Sequence, residues 1–113
     1  MEIAKRQVGD IAVIDLTGEI DIYNAGQLKS ALQELISQKQ YRVVLNMKRV
    51  SYMDSTGIGV LLTSLNPLKQ NQGDLKLANA AESFQKVFKL TNLSKFFHLL
   101  DSEEAAIGSF SRN

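Results

Sequence analysis

The sequence predicts an α/β protein: a mixed sheet of four or five strands with helices packed against it. Two short β-branched segments separated by Gly9-Asp10 predict an opening hairpin, which makes the strand pairing mixed. Through the second half of the chain, short apolar strands alternate with segments of helical periodicity, the pattern of a sheet covered by helices. At 113 residues the chain is long enough for one hydrophobic core and too short for two. Residues 1–113 are therefore expected to form a single domain.

The segment from Ile3 to Val8 is expected to pair with Ile11-Ala12-Val13-Ile14-Asp15-Leu16 across the Gly9-Asp10 turn. A helix follows from about Asn24, because Leu28, Ala31, Leu32, Leu35 and Ile36 recur at the spacing of one buried face and leave Lys29, Gln33, Glu34 and Gln38 to water. Arg42-Val43-Val44-Leu45-Asn46-Met47 carries adjacent apolar residues, which suit a central strand buried on both faces, and Lys48-Arg49 reads as its solvated end. A second helix is predicted to start near Thr56 to Ile58, with Ile58, Leu61, Leu62 and Leu65 on one stripe; Pro67 should kink or end it.

Leu75-Lys76-Leu77-Ala78 reads as a further strand, and Phe84, Val87 and Phe88 define a helix ending near Thr91-Asn92. Those aromatic and aliphatic residues, with Phe96 from the apolar run Phe96-Phe97-His98-Leu99-Leu100, are expected in the core, and His98 half-buried on an element edge. Ser102-Glu103-Glu104 places acidic groups in a first helical turn, where the macrodipole favours them, and Ala105, Ala106 and Ile107 continue a terminal helix.

Composition excludes several classes. A 44% hydrophobic and 22% charged chain is not an unfolded one. A net charge of +1 is far from the basic balance of a nucleic-acid binder. With no cysteine and His98 as the only histidine, neither a disulfide framework nor a multi-ligand metal site is expected. No apolar run approaches the roughly 18 residues of a membrane span, and Met1 to Arg6 lacks a signal-peptide core, so a cytoplasmic protein is expected. Gly57 and Gly59 do not complete G-x-G-x-x-G, since Leu62 stands where the third glycine belongs. Ser55 lacks the G-x-S-x-G context of a hydrolase nucleophile. Neither catalysis nor a cofactor is expected.

The informative stretch is Val50-Ser51-Tyr52-Met53-Asp54-Ser55-Thr56-Gly57-Ile58-Gly59-Val60-Leu61-Leu62, a strand and connection running into a helix start. Asp54, Ser55 and Thr56 are all helix-capping types, and Gly57 and Gly59 remove side chains that would crowd that end. The expected result is a small exposed hydroxyl site whose unpaired N–H groups and dipole would accept a phosphate on Ser55 without disturbing the core. The added negative charge beside Asp54 would repel an acidic or apolar partner surface.

At Tyr52 to Leu62, preceded by Val44-Leu45-Asn46-Met47, the chain resembles the phosphorylation motif of bacterial anti-sigma-factor antagonists with the STAS fold. Leu16-Thr17-Gly18-Glu19-Ile20-Asp21 is similar to the family's Gly-Glu-Leu-Asp element, and Leu90 to Phe97 extends the match over nearly the whole chain. The resemblance implies a partner-switching cycle. Unphosphorylated, such a protein binds an anti-sigma factor that is also a serine kinase and so releases a sigma factor; phosphorylation ends the binding, and a PP2C-type phosphatase restores it. It implies Ser55 as phosphoacceptor, flanked by Asp54 and Thr56, with Asp21 nearby on the same face, Tyr23 and Asn24 bordering the contact surface, and Gly57 and Gly59 within it. A monomer is expected, with a weak dimer as the alternative. Thr56 stands where a second serine is common, and Gln72-Gly73 where Gly-Gly is frequent. The alternative is a STAS scaffold or accessory subunit, in a sensory assembly or lipid transport, that holds a permanent partner without a phospho-switch. Without the resemblance, Asp54-Ser55-Thr56 reads as a plain helix cap and Asp21 as a turn former.

Overall fold

The computed structural model describes residues 1–110. The elements follow in the order β1 (Glu2–Val8), β2 (Ile11–Ile20), α1 (Ala25–Ser37), β3 (Arg42–Met53), α2 (Ser55–Gln70), β4 (Asp74–Ala78), α3 (Glu82–Leu90), β5 (His98–Leu100) and α4 (Glu103–Gly108). A 3₁₀ turn, Leu93–Lys95, precedes β5. The sheet order is β1-β2-β3-β4-β5, so each strand lies beside its neighbours in sequence. β1 and β2 are antiparallel, closed by Val8↔Ile11 across the turn where Gly9 takes a φ of +61°; every other pairing is parallel.

Strand side chains alternate between two faces, and both are buried along the middle of the sheet. Ile14, Leu16, Val43, Leu45, Leu75 and Leu77 pack against Leu28, Leu32 and Leu35 of α1, Leu61, Leu65 and Leu68 of α2 and Phe88 of α3. On the opposite face Ile11, Val13, Val44 and Ala78 meet Ala106 of α4 and Phe110. The adjacent Val43, Val44 and Leu45 are all 0% exposed, as a strand buried on both faces requires.

β3 continues well past Met47, the end expected from its apolar run. Its register against β2 slips twice: Asp15↔Asn46 is followed by Thr17↔Arg49, and Gly18↔Val50 by Glu19↔Tyr52. Each slip inserts one extra β3 residue, a β-bulge. The bulges let Met47, Val50 and Met53, spaced by three, all reach the same core while Lys48-Arg49 and Ser51-Tyr52 stay in solvent. Lys48-Arg49 is accordingly mid-strand and not a strand end.

Pro67 does not end α2, which runs on to Gln70. The ring removes one N–H that would bond the Thr63 carbonyl. The far side of the helix holds the turn in place through Ser64, Leu65 and Leu68, all buried. α2 then stops in a Schellman cap. Gln72 takes the left-handed conformation (φ 62°), its N–H donates to Lys69 O at 3.2 Å, and the Gly73 N–H donates to Leu68 O at 2.8 Å.

The aromatic cluster differs from expectation in two members. Phe88 stacks between Phe84 (centroids 4.5 Å apart) and Phe97 (5.4 Å), but Val87 is 44% and Phe96 53% exposed. The 3₁₀ turn before Phe96 rotates the chain so that Phe97 points inward and Phe96 outward. His98 is exposed on edge strand β5, not half-buried.

Candidate functional site

The four parallel strands end on one side of the sheet, at Ile20, Met53, Ala78 and Leu100, and each is followed by a helix that starts there. In such sheets the crevice outside the strand C-termini is the usual binding position. Two connections build the site: Asp21 to Asn24 after β2, and Asp54 after β3. They are adjacent, because Ile20 pairs with Met53 and the Asp54 N–H donates to Ile20 O at 3.0 Å.

Asp54 is the N-cap of α2. Its backbone is extended (φ −87°, ψ −176°), and its Oδ1 accepts from the Thr56 N–H at 2.9 Å and the Gly57 N–H at 3.1 Å. Its own carbonyl accepts the Ile58 N–H at 3.1 Å. This one residue therefore joins β2, β3 and α2. Ser55 is the first residue of α2 and Thr56 the second, and both are exposed. The donors expected to be free for a phosphate are thus partly taken, since the Asp54 carboxylate holds two of them. A phosphate on Ser55 would stand beside that carboxylate as a second anion.

Gly57 is buried where α2 seats on the strand ends. A β-carbon there would lie 2.6 Å from Met53 Cγ and 2.8 Å from Ile20 Cγ2. Around Gly59 a β-carbon would meet nothing within 4 Å, so the crowding argument holds at Gly57 and fails at Gly59.

The Asp21 to Asn24 connection is held by its own side chains. Asp21 Oδ1 accepts the Tyr23 N–H at 2.9 Å, and its carbonyl accepts the Asn24 and Ala25 N–H groups at 3.1 and 2.8 Å. Asn24 Oδ1 accepts the Asp21 N–H, and Asn24 Nδ2 donates to Glu19 O, both at 2.9 Å. Asp21 and Asn24 are therefore turn formers in this geometry. Their bonds push Ile22 and Tyr23 into solvent, 67% and 93% exposed. Ile22 was not singled out by sequence reasoning; an apolar residue outside every periodic stretch is the signal that would have found it. Tyr52, at 55% exposed on the strand leading into Asp54, is a second such residue.

On the sheet face not covered by α1, α2 and α3, a polar ladder crosses three strands and ends at Asn79, just past β4. Arg6 donates to both oxygens of Asp15 (2.6 and 2.9 Å), Asn46 Nδ2 donates to Asp15 Oδ1 (2.9 Å), and Asn79 Nδ2 donates to Asn46 Oδ1 (3.0 Å). The Arg6 hydrogen bonds hold the Asp15 carboxyl below the usual carboxylate range against the opposing effect of burial, and Asn46 assists. A shallow concavity of about 800 Å³ lies beside this ladder, bordered by Glu2, Thr17, Lys48 and Arg49. Among the described residues no helix is long and apolar enough to cross a membrane.

Residues 2–106 match the family model of the STAS domain. With the mixed five-stranded sheet, this match defines the class: the chain is a STAS-domain protein. The anti-sigma-B factor antagonist of Bacillus subtilis is 36% identical over 104 residues, which cover 91% of this chain and 93% of that protein. The anti-sigma factor antagonist SpoIIAA in its unphosphorylated form aligns with a TM-score of 0.77 at 28% identity, covering 96% of each chain. Its phosphorylated form, from Bacillus, aligns with a TM-score of 0.75 at the same 28% identity, covering 96% of this chain and 98% of that one. Within the STAS class, the chain belongs to the anti-sigma-factor antagonist family.

Proposed function

We propose that this chain is a phosphoserine-switched anti-sigma-factor antagonist with Ser55 as the switch. With Ser55 unmodified it binds an anti-sigma factor that is also a serine kinase, and a sigma factor is released. Phosphorylation of Ser55 ends the binding, and a PP2C-type phosphatase restores it. In this reading the chain works in the cytoplasm as substrate and binding module and carries out no chemistry of its own.

The observation that carries the reading is the exposed Ser55 at the first position of α2, directly after the Asp54 cap and beside the Asp21 to Asn24 connection. That a relative has been solved in both phosphorylated and unphosphorylated forms supports it further. A phosphate adds about −1.5 to −2 charges at neutral pH. Because the Asp54 carboxylate already occupies the Thr56 and Gly57 N–H groups, the helix end has fewer donors left to offset the new charge, which is presented outward. Tyr23 and Thr56 supply exposed contact surface, Asp21 and Asn24 fix the shape of the loop, Gly57 acts through the close seating of α2, and Gly59 lies within the contact surface.

The test uses the unmodified protein, Ser55→Ala, Ser55→Asp and Thr56→Val as baits, with the captured anti-sigma factor then titrated against each. Ser55→Ala and Thr56→Val should keep the partner, and Ser55→Asp should lose about a hundredfold in affinity, or roughly 2.7 kcal/mol. A partner held equally by all four would replace the switch with a permanent scaffold role.

A further inference from the structure

β3 outruns its neighbour on one side. β2 pairs with it through Ile20↔Met53, whereas β4 pairs only from Arg42↔Asp74 to Asn46↔Ala78. Asn79 turns the chain away at that point. Its backbone is left-handed (φ 61°), its N–H donates to Leu100 O on β5 at 3.1 Å, and its side chain donates to Asn46 Oδ1 at 3.0 Å, which closes the β3–β4 ladder. From Met47 to Met53, β3 therefore has one edge with no strand beside it among the described residues.

Next to this free edge is a cleft of about 250 Å³. Val50, Tyr52 and Met53 form one wall, and Ala81, which caps α3, with Phe84 and Val87 of α3 form the other. Tyr52 and Val87 keep 55% and 44% of their surface in water, so both walls expose apolar area. The cleft reaches Met53, two residues before Ser55. On the other sheet face the same stretch of strand presents Lys48 and Arg49, both exposed and neither in an ion pair among the described residues. The acids that border the same concavity are Asp15, already held by Arg6, and Glu2.

These features together specify an occupant. A free strand edge is recognised by extended backbone, which supplies the missing hydrogen bonds. Alternate side chains of an added strand point to opposite faces, so one set meets the apolar cleft and the other meets Lys48 and Arg49. Charge complementarity makes that second set acidic. The two bulges shorten the regular part of the edge and twist it, which disfavours the long flat pairing that would join two copies of this chain. We infer that the free edge of β3 docks an extended segment of a partner protein in which apolar and acidic residues alternate. This rests on the switch reading for one consequence only: a phosphate on Ser55 stands at the end of the docking edge and opposes the acidic set.

The probe is a synthetic capped peptide of alternating valine and glutamate, titrated into the full-length ¹⁵N-labelled protein. Amide shifts and slowed hydrogen exchange are expected at Lys48 to Tyr52. A peptide N-methylated at alternate residues should bind at least about tenfold more weakly, because it cannot pair with an edge. Exchanging glutamate for lysine in the peptide, Lys48→Glu, and Val87→Glu should each weaken binding by a similar factor, and neither substituted residue supports the core. Absence of edge shifts up to about millimolar peptide, or equal binding of the N-methylated form, overturns the docking edge. Ser55→Asp should also bind the peptide more weakly. Equal binding there removes the coupling to Ser55 and leaves the docking edge standing, so failure of the edge and failure of the switch read differently.

Discussion

Adding one methyl group at Gly57 and one at Gly59 should move stability in opposite directions. Both glycines lie in the first two turns of α2, and in both cases alanine improves intrinsic helix propensity by up to about 1 kcal/mol. At Gly59 nothing opposes that gain, because the new β-carbon has no neighbour within 4 Å. Gly59→Ala should therefore stabilise the protein by about 0.5–1 kcal/mol. At Gly57 the β-carbon would sit 2.6 Å from Met53 Cγ and 2.8 Å from Ile20 Cγ2. Met53 has some freedom at 7% exposed, but Ile20 is 0% exposed and β-branched, so α2 itself must lift. Overpacking of this kind costs about 1–3 kcal/mol. The net effect expected for Gly57→Ala is a loss of about 1–2 kcal/mol, several degrees in Tm at this chain length. Urea unfolding followed by far-ultraviolet circular dichroism measures both, and an unchanged m-value shows that stability changed without a change in the surface exposed on unfolding. Equal shifts for the two alanine variants would refute the close seating of α2 on the ends of β2 and β3.

Gln72→Gly should stabilise by about 0.5–1 kcal/mol in the same urea assay, since glycine takes the left-handed cap of α2 without strain. Asp15 has a folded-state pKa below its unfolded one, so its contribution is present near neutrality and is lost as pH falls below the ordinary carboxylate value through the folded one. Asp15→Asn should flatten the acid limb of a pH–stability curve, by an amount reduced by the partial exposure of Arg6. Lys76 is buried beside Phe110, with its Nζ donating to Ser109 O at 3.0 Å and Ser109 Oγ at 2.7 Å, and burial lowers its pKa. Between that depressed value and the ordinary lysine value the unfolded chain binds more protons, so stability should rise with pH there. Lys76→Met should abolish the rise, as read by thermal unfolding across alkaline buffers.

Where local pattern and tertiary packing agreed, the fold was legible. The hairpin follows from its β-branched segments and the Gly9-Asp10 turn, α1 from its periodic stripe and the doubly buried Val43-Val44-Leu45 from its run of adjacent apolar residues, and the capping chemistry placed Ser55 at the start of α2. Periodicity failed in the second half of β3, because the bulges change the core spacing from two residues to three and strand alternation disappears from the sequence. Pro67 misled because the burial of Leu65 and Leu68 outweighs one lost hydrogen bond. Phe96 and Phe97 are adjacent and chemically identical, and only the 3₁₀ turn before them decides which one is buried. The candidate site was visible in its hydroxyls and its cap but not in its apolar rim. Ile22 and Tyr52 are exposed through loop and bulge geometry, and Val87 through the way α3 sits on the sheet, none of which a composition rule encodes.

The sequential strand order also bears on how the chain reaches this state during synthesis. Every strand pairs with one already made, so the sheet grows by addition at one edge as the polypeptide emerges, with a short loop-closure distance at each step. α4 is different: its partners Val13, Val44 and Ala78 come from three strands, and it seals their face only after all are in place. Until α4 has been made, that sheet face stays open. Tension applied at the carboxyl end should peel α4 first and expose Val13 and Val44 before the rest of the sheet gives way.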